Sequence, residues 1–184
     1  MGYTGYYAGI RNRNDLRSEL ERILEWGDGN HCLVDLSISS DAAYAGIKEH
    51  FEDHFEVTAY VVRYFVRKDG EFVYKIMHES MFPGYYDCPV RILEKLTPTN
   101  YEDANAWREA CRKHNAEKSE RAKQAKALRD FPENTCIKWT YLPTGVTYTL
   151  QKIRTHSGKV LWITEDWKFK VSPTKILNGK WEVL

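Results

Sequence analysis

The chain has 184 residues, of which 42% are hydrophobic and 14% aromatic, and this content excludes wholesale disorder because it is enough for a packed core. No apolar run approaches the roughly 20 residues that a membrane span needs, and the first ten residues lack the basic start and apolar stretch of a secretory signal. The four cysteines are widely spaced, as is typical of reduced thiols. We therefore expect a cytoplasmic protein without membrane contact.

The net charge of +1 hides an uneven distribution along the chain. Residues 1–107 carry 11 basic and 18 acidic side chains, a net charge of −7, whereas residues 108–184 carry 16 and 8, a net charge of +8. This asymmetry indicates that the basic half meets a polyanion or an acidic surface. It is equally consistent with attraction between the two halves, or with charge that only keeps the protein soluble.

Residues 1–98 have the pattern of an α+β domain, an N-terminal helix followed by an antiparallel meander. Asn14 is placed to cap a helix whose apolar residues recur at helical spacing. Residues 31–39 alternate as a half-buried strand, and residues 57–67 are rich in β-branched and aromatic residues. Asp69-Gly70 then predicts a hairpin with a return strand.

Two short segments of this domain allow two interpretations each. Residues 1–12 are rich in Gly and Tyr and predict either an ordered arm or an edge strand. Residues 43–48 predict either a short strand or a helical turn.

Residues 99–130 are predicted to form a central helical connector. Just before it, Asp87-Cys88-Pro89 precedes an apolar helix, with Pro89 in its first turn. Residues 108–129 carry eight basic and three acidic side chains and few large apolar residues. Such a helix gains little from packing, so we expect a solvated spacer or a rod that contacts something acidic.

Residues 131–184 are predicted to form a small β-barrel, SH3-like or OB-like. Turn-forming Gly, Pro, Ser and Asn residues separate five strand candidates, which are 136–141, 146–154, 159–164, 167–171 and 180–184. Five strands in about 50 residues are typical of such a barrel.

Cys88 is the candidate nucleophile. A thiol at a helix N-terminus feels the positive end of the helix dipole, which favours the thiolate. His78 would be its base and Asp87 an orienting group. The alternative, which we favour, is that Cys88 is a small buried thiol at a helix start, because free cysteines are most often packing residues.

His50 and His54 are candidate metal ligands, since residues four apart share one face of a helix. The same segment also has the composition of a charged surface turn, and no third ligand is evident. No Gly-rich phosphate loop is present in the sequence, so we expect no cofactor.

The basic C-terminal half carries the strongest binding pattern, because tryptophans alternate there with lysines. Lysines would hold phosphates and exposed aromatic rings would stack on bases. Alternatively the tryptophans form the core and the lysines keep the module soluble. The candidate binding residues are Lys138, Trp139, Lys152, Arg154, Trp162, Trp167, Lys168 and Lys170.

Short motifs in the middle of the chain resemble an uncharacterised family of small proteins from bacteria, bacteriophages and other mobile elements. The motifs are Glu79-Ser80-Met81, Pro83-Gly84, Asp87-Cys88-Pro89, Ile92-Leu93, Leu96-Thr97-Pro98 and the Ala104–Arg108 segment. The resemblance implies an accessory protein of a phage or mobile element in the host cytoplasm, one that acts by binding, for example to defence machinery. It supplies no catalytic residues.

These observations predict a non-enzymatic binding protein that acts through its basic half on nucleic acid or on a host protein. Two alternatives remain open at this point. One is a cysteine-dependent hydrolase or transferase using Cys88, and the other is a structural or self-associating accessory protein.

Overall fold

A computed structural model describes residues 3–7, 9–27, 29–81 and 84–184, apart from the side chains of Tyr3 and Tyr7. Residues 1, 2 and 8 of the predicted arm, and Pro83 of the family motifs, lie outside the described part. The chain divides into two compact units, an N-terminal unit, Met1–Asn115, and a C-terminal unit, Ala116–Leu184. The described residues form an α+β structure with ten strands in two antiparallel sheets and four α-helices.

The elements of the N-terminal unit are β1 Tyr3–Tyr7, α1 Arg13–Leu24, β2 His31–Ile38, β3 Ala42–His50, β4 Phe55–Val66, β5 Phe72–His78, a 3₁₀ turn Glu79–Met81, α2 Val90–Leu93 and the start of α3 Glu102–Asp130. Its sheet has the strand order β1-β5-β4-β3-β2, and all neighbours are antiparallel.

Helix α1 covers one face of this sheet. Its apolar residues Leu16, Leu20 and Leu24 belong to one buried cluster with Ala43, Ala45 and Ile47 of β3 and with residues of β4 and β5. The helix begins two residues earlier than the pattern predicts, because the cap is Asn12 and not Asn14. The Asn12 side chain accepts hydrogen bonds from two backbone N–H groups, and the carboxylate of Asp15 accepts one from the N–H of Asn12.

The opposite face of the sheet is covered by α2 and the first turns of α3. Its core joins Cys88, Ile92, Trp107 and Cys111 to small residues of β3 and β4. Because both faces of β3 are covered, Ala42–Ile47 are all buried and show no alternation. This explains why the sequence pattern of residues 43–48 does not distinguish a strand from a helical turn.

The N-terminal segment is an edge strand, β1, paired with β5. Gly5 lies against the ring of Tyr74 and faces it across the ladder, and a Cβ atom at Gly5 would lie 2.4 Å from that ring. The close approach therefore requires glycine at this position.

The C-terminal unit contains the end of α3 and β6 Cys136–Tyr141, β7 Val146–Arg154, β8 Val160–Ile163, β9 Lys170–Val171, α4 Pro173–Ile176 and β10 Gly179–Val183. Its sheet has the strand order β10-β6-β7-β8-β9. The core on one face contains Trp139, Leu150 and Trp162, together with Leu128 from α3 and Ile176 from α4.

The predicted SH3-like or OB-like barrel is wrong, because this sheet is open. Within residues 116–184, β9 and β10 are edge strands that pair on one side only. Strand β9 has two residues, since most of the predicted strand 167–171 is a turn, and it offers too short a ladder for closure. Helix α4 and the end of α3 cover the core instead.

The helices of the described residues do not include one that combines the length and the apolar composition of a membrane span. Helix α3 is the longest, with 29 residues, and it is rich in charged side chains.

Candidate functional site

Three of the eight predicted binding residues are core residues of the C-terminal unit. Trp139 and Trp162 are fully buried, and Lys152 is 1% exposed. The indole N–H of Trp139 donates to the carbonyl oxygen of Ile176 at 2.8 Å, and the ammonium of Lys152 donates to the carbonyl oxygen of Phe131. These side chains complete the core and are not available to a ligand, which corrects their assignment as binding residues.

Two further candidates are exposed but already hold acidic partners. Lys138 lies 3.5 Å from the Glu182 carboxylate on the neighbouring strand, and Arg154 donates to Glu133 at 3.0 Å. Such exposed pairs are weak and remain able to exchange for another anion.

The other three candidates lie together at the turn between β8 and β9. Trp167 is 57% exposed and has a φ of 59°, and the Lys170 ammonium lies 5.8 Å from the centre of its ring. Lys168, whose side chain is 84% exposed, lies 3.2 Å from Asp166. We refer to Trp167, Lys168 and Lys170 as the Trp167 surface.

Hydrogen bonds hold this turn in place. The Thr164 hydroxyl donates to the Asp166 carboxylate at 2.6 Å, and the same carboxylate accepts from the N–H of Lys168. The N–H of Trp167 donates to the carbonyl oxygen of Thr164. The hydrogen bond from the Thr164 hydroxyl, and then those from Lys168, lower the pKa of Asp166, so this carboxylate stays ionised and holds its donors in place.

The C-terminal unit as a whole is positively charged. Residues 116–184 carry 13 basic and 7 acidic side chains, a net charge of +6. Lys180 on β10 adds an exposed cation on the outer face of the sheet, the face that carries Lys138 and lies opposite the tryptophan core. The unit therefore offers an exposed aromatic ring and a net positive charge, although Glu165 and Asp166 balance Lys168 and Lys170 next to the ring.

The predicted Cys88 site is not assembled. Cys88 is fully buried, and burial raises the pKa of its thiol, which disfavours the thiolate. The proposed base, His78, hydrogen-bonds through Nδ1 to the hydroxyl of Ser80 at 2.7 Å, and Asp87 lies 3.1 Å from His114. Burial also lowers the pKa of His78. These residues support the sheet and its connections, and Cys88 is a packing residue.

We expect Cys88 to resist alkylation in the folded protein at neutral pH, by about tenfold or more relative to the exposed Cys32. Cys111 is a matched buried control, because burial raises the pKa of its thiol to about 12. Iodoacetamide labelling followed by peptide mass spectrometry, with and without denaturant, measures the rates. Labelling of Cys88 as fast as Cys32 in the folded protein would restore it as a nucleophile.

The candidate metal ligands His50 and His54 lie at the hairpin between β3 and β4, and not on a helix. His54 Nδ1 lies 2.6 Å from Asp53, which raises the pKa of His54, and the ring of Phe51 stacks on the His54 ring. In the part of the chain that the structure describes, no group of three or more His, Cys, Asp or Glu residues is arranged to hold a metal ion.

A feature that the sequence does not reveal is a buried ion pair beside a cavity of about 430 Å³ in the N-terminal unit. Glu79 lines the cavity and is 1% exposed, and it accepts two hydrogen bonds from Arg108, at 2.7 and 2.5 Å. Because 29 residues separate the two, no local spacing pairs them.

Comparison of the chain with models of protein families, with curated proteins and with solved structures finds no match. The resemblance to a family of mobile-element proteins, and with it the phage origin and the cytoplasmic location, stays a prediction.

Proposed function

We propose that the C-terminal unit binds single-stranded nucleic acid through the Trp167 surface. The observation that carries the proposal is an indole held exposed by a hydrogen-bonded turn, with a lysine ammonium 5.8 Å from its ring. The proposed partner is therefore a polyanion with accessible aromatic bases.

The conformation of Trp167 supports a role at the surface. A left-handed backbone costs a bulky residue about 1 kcal/mol or more, and an indole that is 57% exposed recovers little of this by packing. Stacking on a base would bury the exposed ring, and such contacts contribute about 1–3 kcal/mol per base. Bases in a duplex are already stacked, so an indole of this kind favours a single strand.

The lysines supply the second part of the proposal. The Lys170 ammonium lies near the ring and would contact a phosphate next to a stacked base, and Lys168 would contact a second phosphate by exchanging its exposed pair with Asp166. Each phosphate contact releases counterions, so the affinity falls as the salt concentration rises. The net charge of +6 on the unit adds to the attraction.

Replacing Trp167 by alanine is expected to weaken binding of a mixed-sequence single-stranded oligonucleotide by about 5- to 150-fold, the equivalent of one lost stacking contact. Fluorescence anisotropy with labelled DNA and RNA strands measures the affinity. Tyr101→Ala is a matched control, because Tyr101 is also exposed but belongs to the acidic N-terminal unit.

The salt dependence separates phosphate contacts from a protein-like interface. Changing Lys168 and Lys170 to glutamine should reduce the slope of log affinity against log salt by about 1.4, since each single-strand phosphate contact contributes about 0.7. The proposal is wrong if the wild-type chain binds no oligonucleotide at low salt, or if Trp167→Ala binds as well as the wild type. Either result would favour the protein partner.

A further inference from the structure

Strand β10 presents an unpaired backbone edge that is self-complementary. The N–H of Leu184 donates to the carbonyl oxygen of Cys136 at 3.0 Å, so these opposed residues are a hydrogen-bonded pair of the antiparallel ladder. Hydrogen-bonded and non-hydrogen-bonded residue pairs alternate along an antiparallel ladder. The backbone groups of Lys180 and Glu182 therefore also form hydrogen bonds with β6. The N–H and C=O groups of Gly179, Trp181 and Val183 therefore point away from β6, where the C-terminal unit has no further strand.

We infer that two copies of the chain associate by antiparallel pairing of their β10 edges, centred on Trp181. In this register Trp181 faces Trp181 of the second copy, and Gly179 faces Val183. The outward backbone groups of one strand then meet those of the other, forming about six hydrogen bonds. The two sheets become one continuous ten-stranded sheet.

The side chains fit this register on both faces. On the outer face, Lys180 of each copy lies opposite Glu182 of the other, an attractive cross-strand pair formed twice by symmetry. On the core face, Trp181 is half-buried against Phe131, and Val183 is 51% exposed. Pairing places the indoles beside each other and the valine next to a glycine, which leaves room for both.

The inference does not depend on the proposed nucleic-acid binding. The Trp167 surface lies beside β9, which is the opposite edge of the sheet, so pairing through β10 leaves that surface free. The oligomeric state is measured on protein freed of nucleic acid. Dimerisation through β10 and nucleic-acid binding at the Trp167 surface can therefore be tested independently.

Light scattering after size-exclusion chromatography is expected to give the mass of a dimer for the wild-type chain and of a monomer for Val183→Pro. Proline removes an N–H that points away from β6 and has no partner strand in the C-terminal unit, so the fold is retained, as circular dichroism would show. A wild-type monomer at all concentrations, or a dimer that persists in folded Val183→Pro, overturns the inference.

A charge exchange tests the register itself. Lys180→Glu places two carboxylates opposite each other at both symmetric positions, so we expect the dimer dissociation constant to rise by about tenfold or more. The double variant K180E/E182K restores opposite charges across the interface and should recover the dimer. Equal dissociation constants for the wild type and Lys180→Glu would exclude this register.

Discussion

Replacing Arg108 by alanine is expected to lower the free energy of unfolding of the N-terminal unit by about 3–5 kcal/mol. The Glu79 carboxylate is 1% exposed, and it accepts two hydrogen bonds from the guanidinium and a third, at 3.3 Å, from the N–H of Ala59. The guanidinium also donates to the carbonyl oxygen of Thr97 at 2.7 Å. Without Arg108, the buried Glu79 carboxylate and the Thr97 carbonyl oxygen both lose the guanidinium that donates to them.

Urea denaturation measures the loss, and hydrogen exchange read by mass spectrometry locates it in β4 and β5. Arg112→Ala is the matched control on the same helix, because its side chain is 52% exposed and its pair with Glu109 is weak. The double variant E79Q/R108M removes both charges and should cost less than Arg108→Ala alone. If Arg108→Ala lowers the free energy of unfolding no more than Arg112→Ala does, the buried ion pair is not a main source of stability.

The ion pair also marks a limit of sequence reasoning. Both residues belong to the motifs that carry the family resemblance, but their spacing of 29 residues has no helical or strand period. Only the topology brings the end of β5 to the second turn of α3. A polar pair between residues this far apart in the sequence can be identified only once the tertiary structure is known.

Local patterns predict the positions of several strands. Residues 31–39 correspond to β2, and the Asp69-Gly70 turn joins β4 to β5. The burial of β2 does not follow the alternation, since its register shifts between Leu33 and Asp35 and both Cys32 and Val34 are exposed. The pattern is less informative for β3, since helices cover both of its faces and the alternation disappears. Local alternation also does not show whether a sheet closes. The prediction of a barrel rests on the number of strand candidates alone, and this number is the same for an open sheet.

The burial of the tryptophans could be predicted only in part. In β6, Ile137, Trp139 and Tyr141 alternate with Lys138 and Thr140, so the period of two already places Trp139 with the apolar face. Lys152 could not be placed in this way, because its buried ammonium depends on a carbonyl oxygen at Phe131, 21 residues earlier in the chain. A lysine is buried only when such a partner is present.

Replacing Trp139 by alanine is expected to destabilise the C-terminal unit by about 3–5 kcal/mol. Trp139 is fully buried, and its ring packs near Tyr141, Tyr148 and Phe169, with centroid distances of 5.3 to 6.1 Å. The variant leaves a large cavity and removes the donor to Ile176. Hydrogen exchange of the β6 and β7 amides, together with urea denaturation, measures the effect.

Trp139→Phe separates the contribution of core packing from that of the hydrogen bond to Ile176. It keeps an aromatic ring and removes only the indole N–H and part of the volume. Leaving the carbonyl of Ile176 without its donor should cost about 1–3 kcal/mol. Trp167→Ala is the matched exposed variant and should change stability by no more than about 0.5 kcal/mol. Equal stability losses for Trp139→Ala and Trp167→Ala would contradict the division into core and surface tryptophans.

The same pair of variants distinguishes loss of binding from loss of folding. Trp139→Ala should lose oligonucleotide binding only under conditions where the C-terminal unit unfolds, since the buried ring contacts no ligand. Trp167→Ala should lose it while the unit stays folded, because the exposed ring contributes to binding and not to the core. If the loss of oligonucleotide affinity parallels the loss of stability of the C-terminal unit in both variants, the Trp167 surface has no direct part in binding.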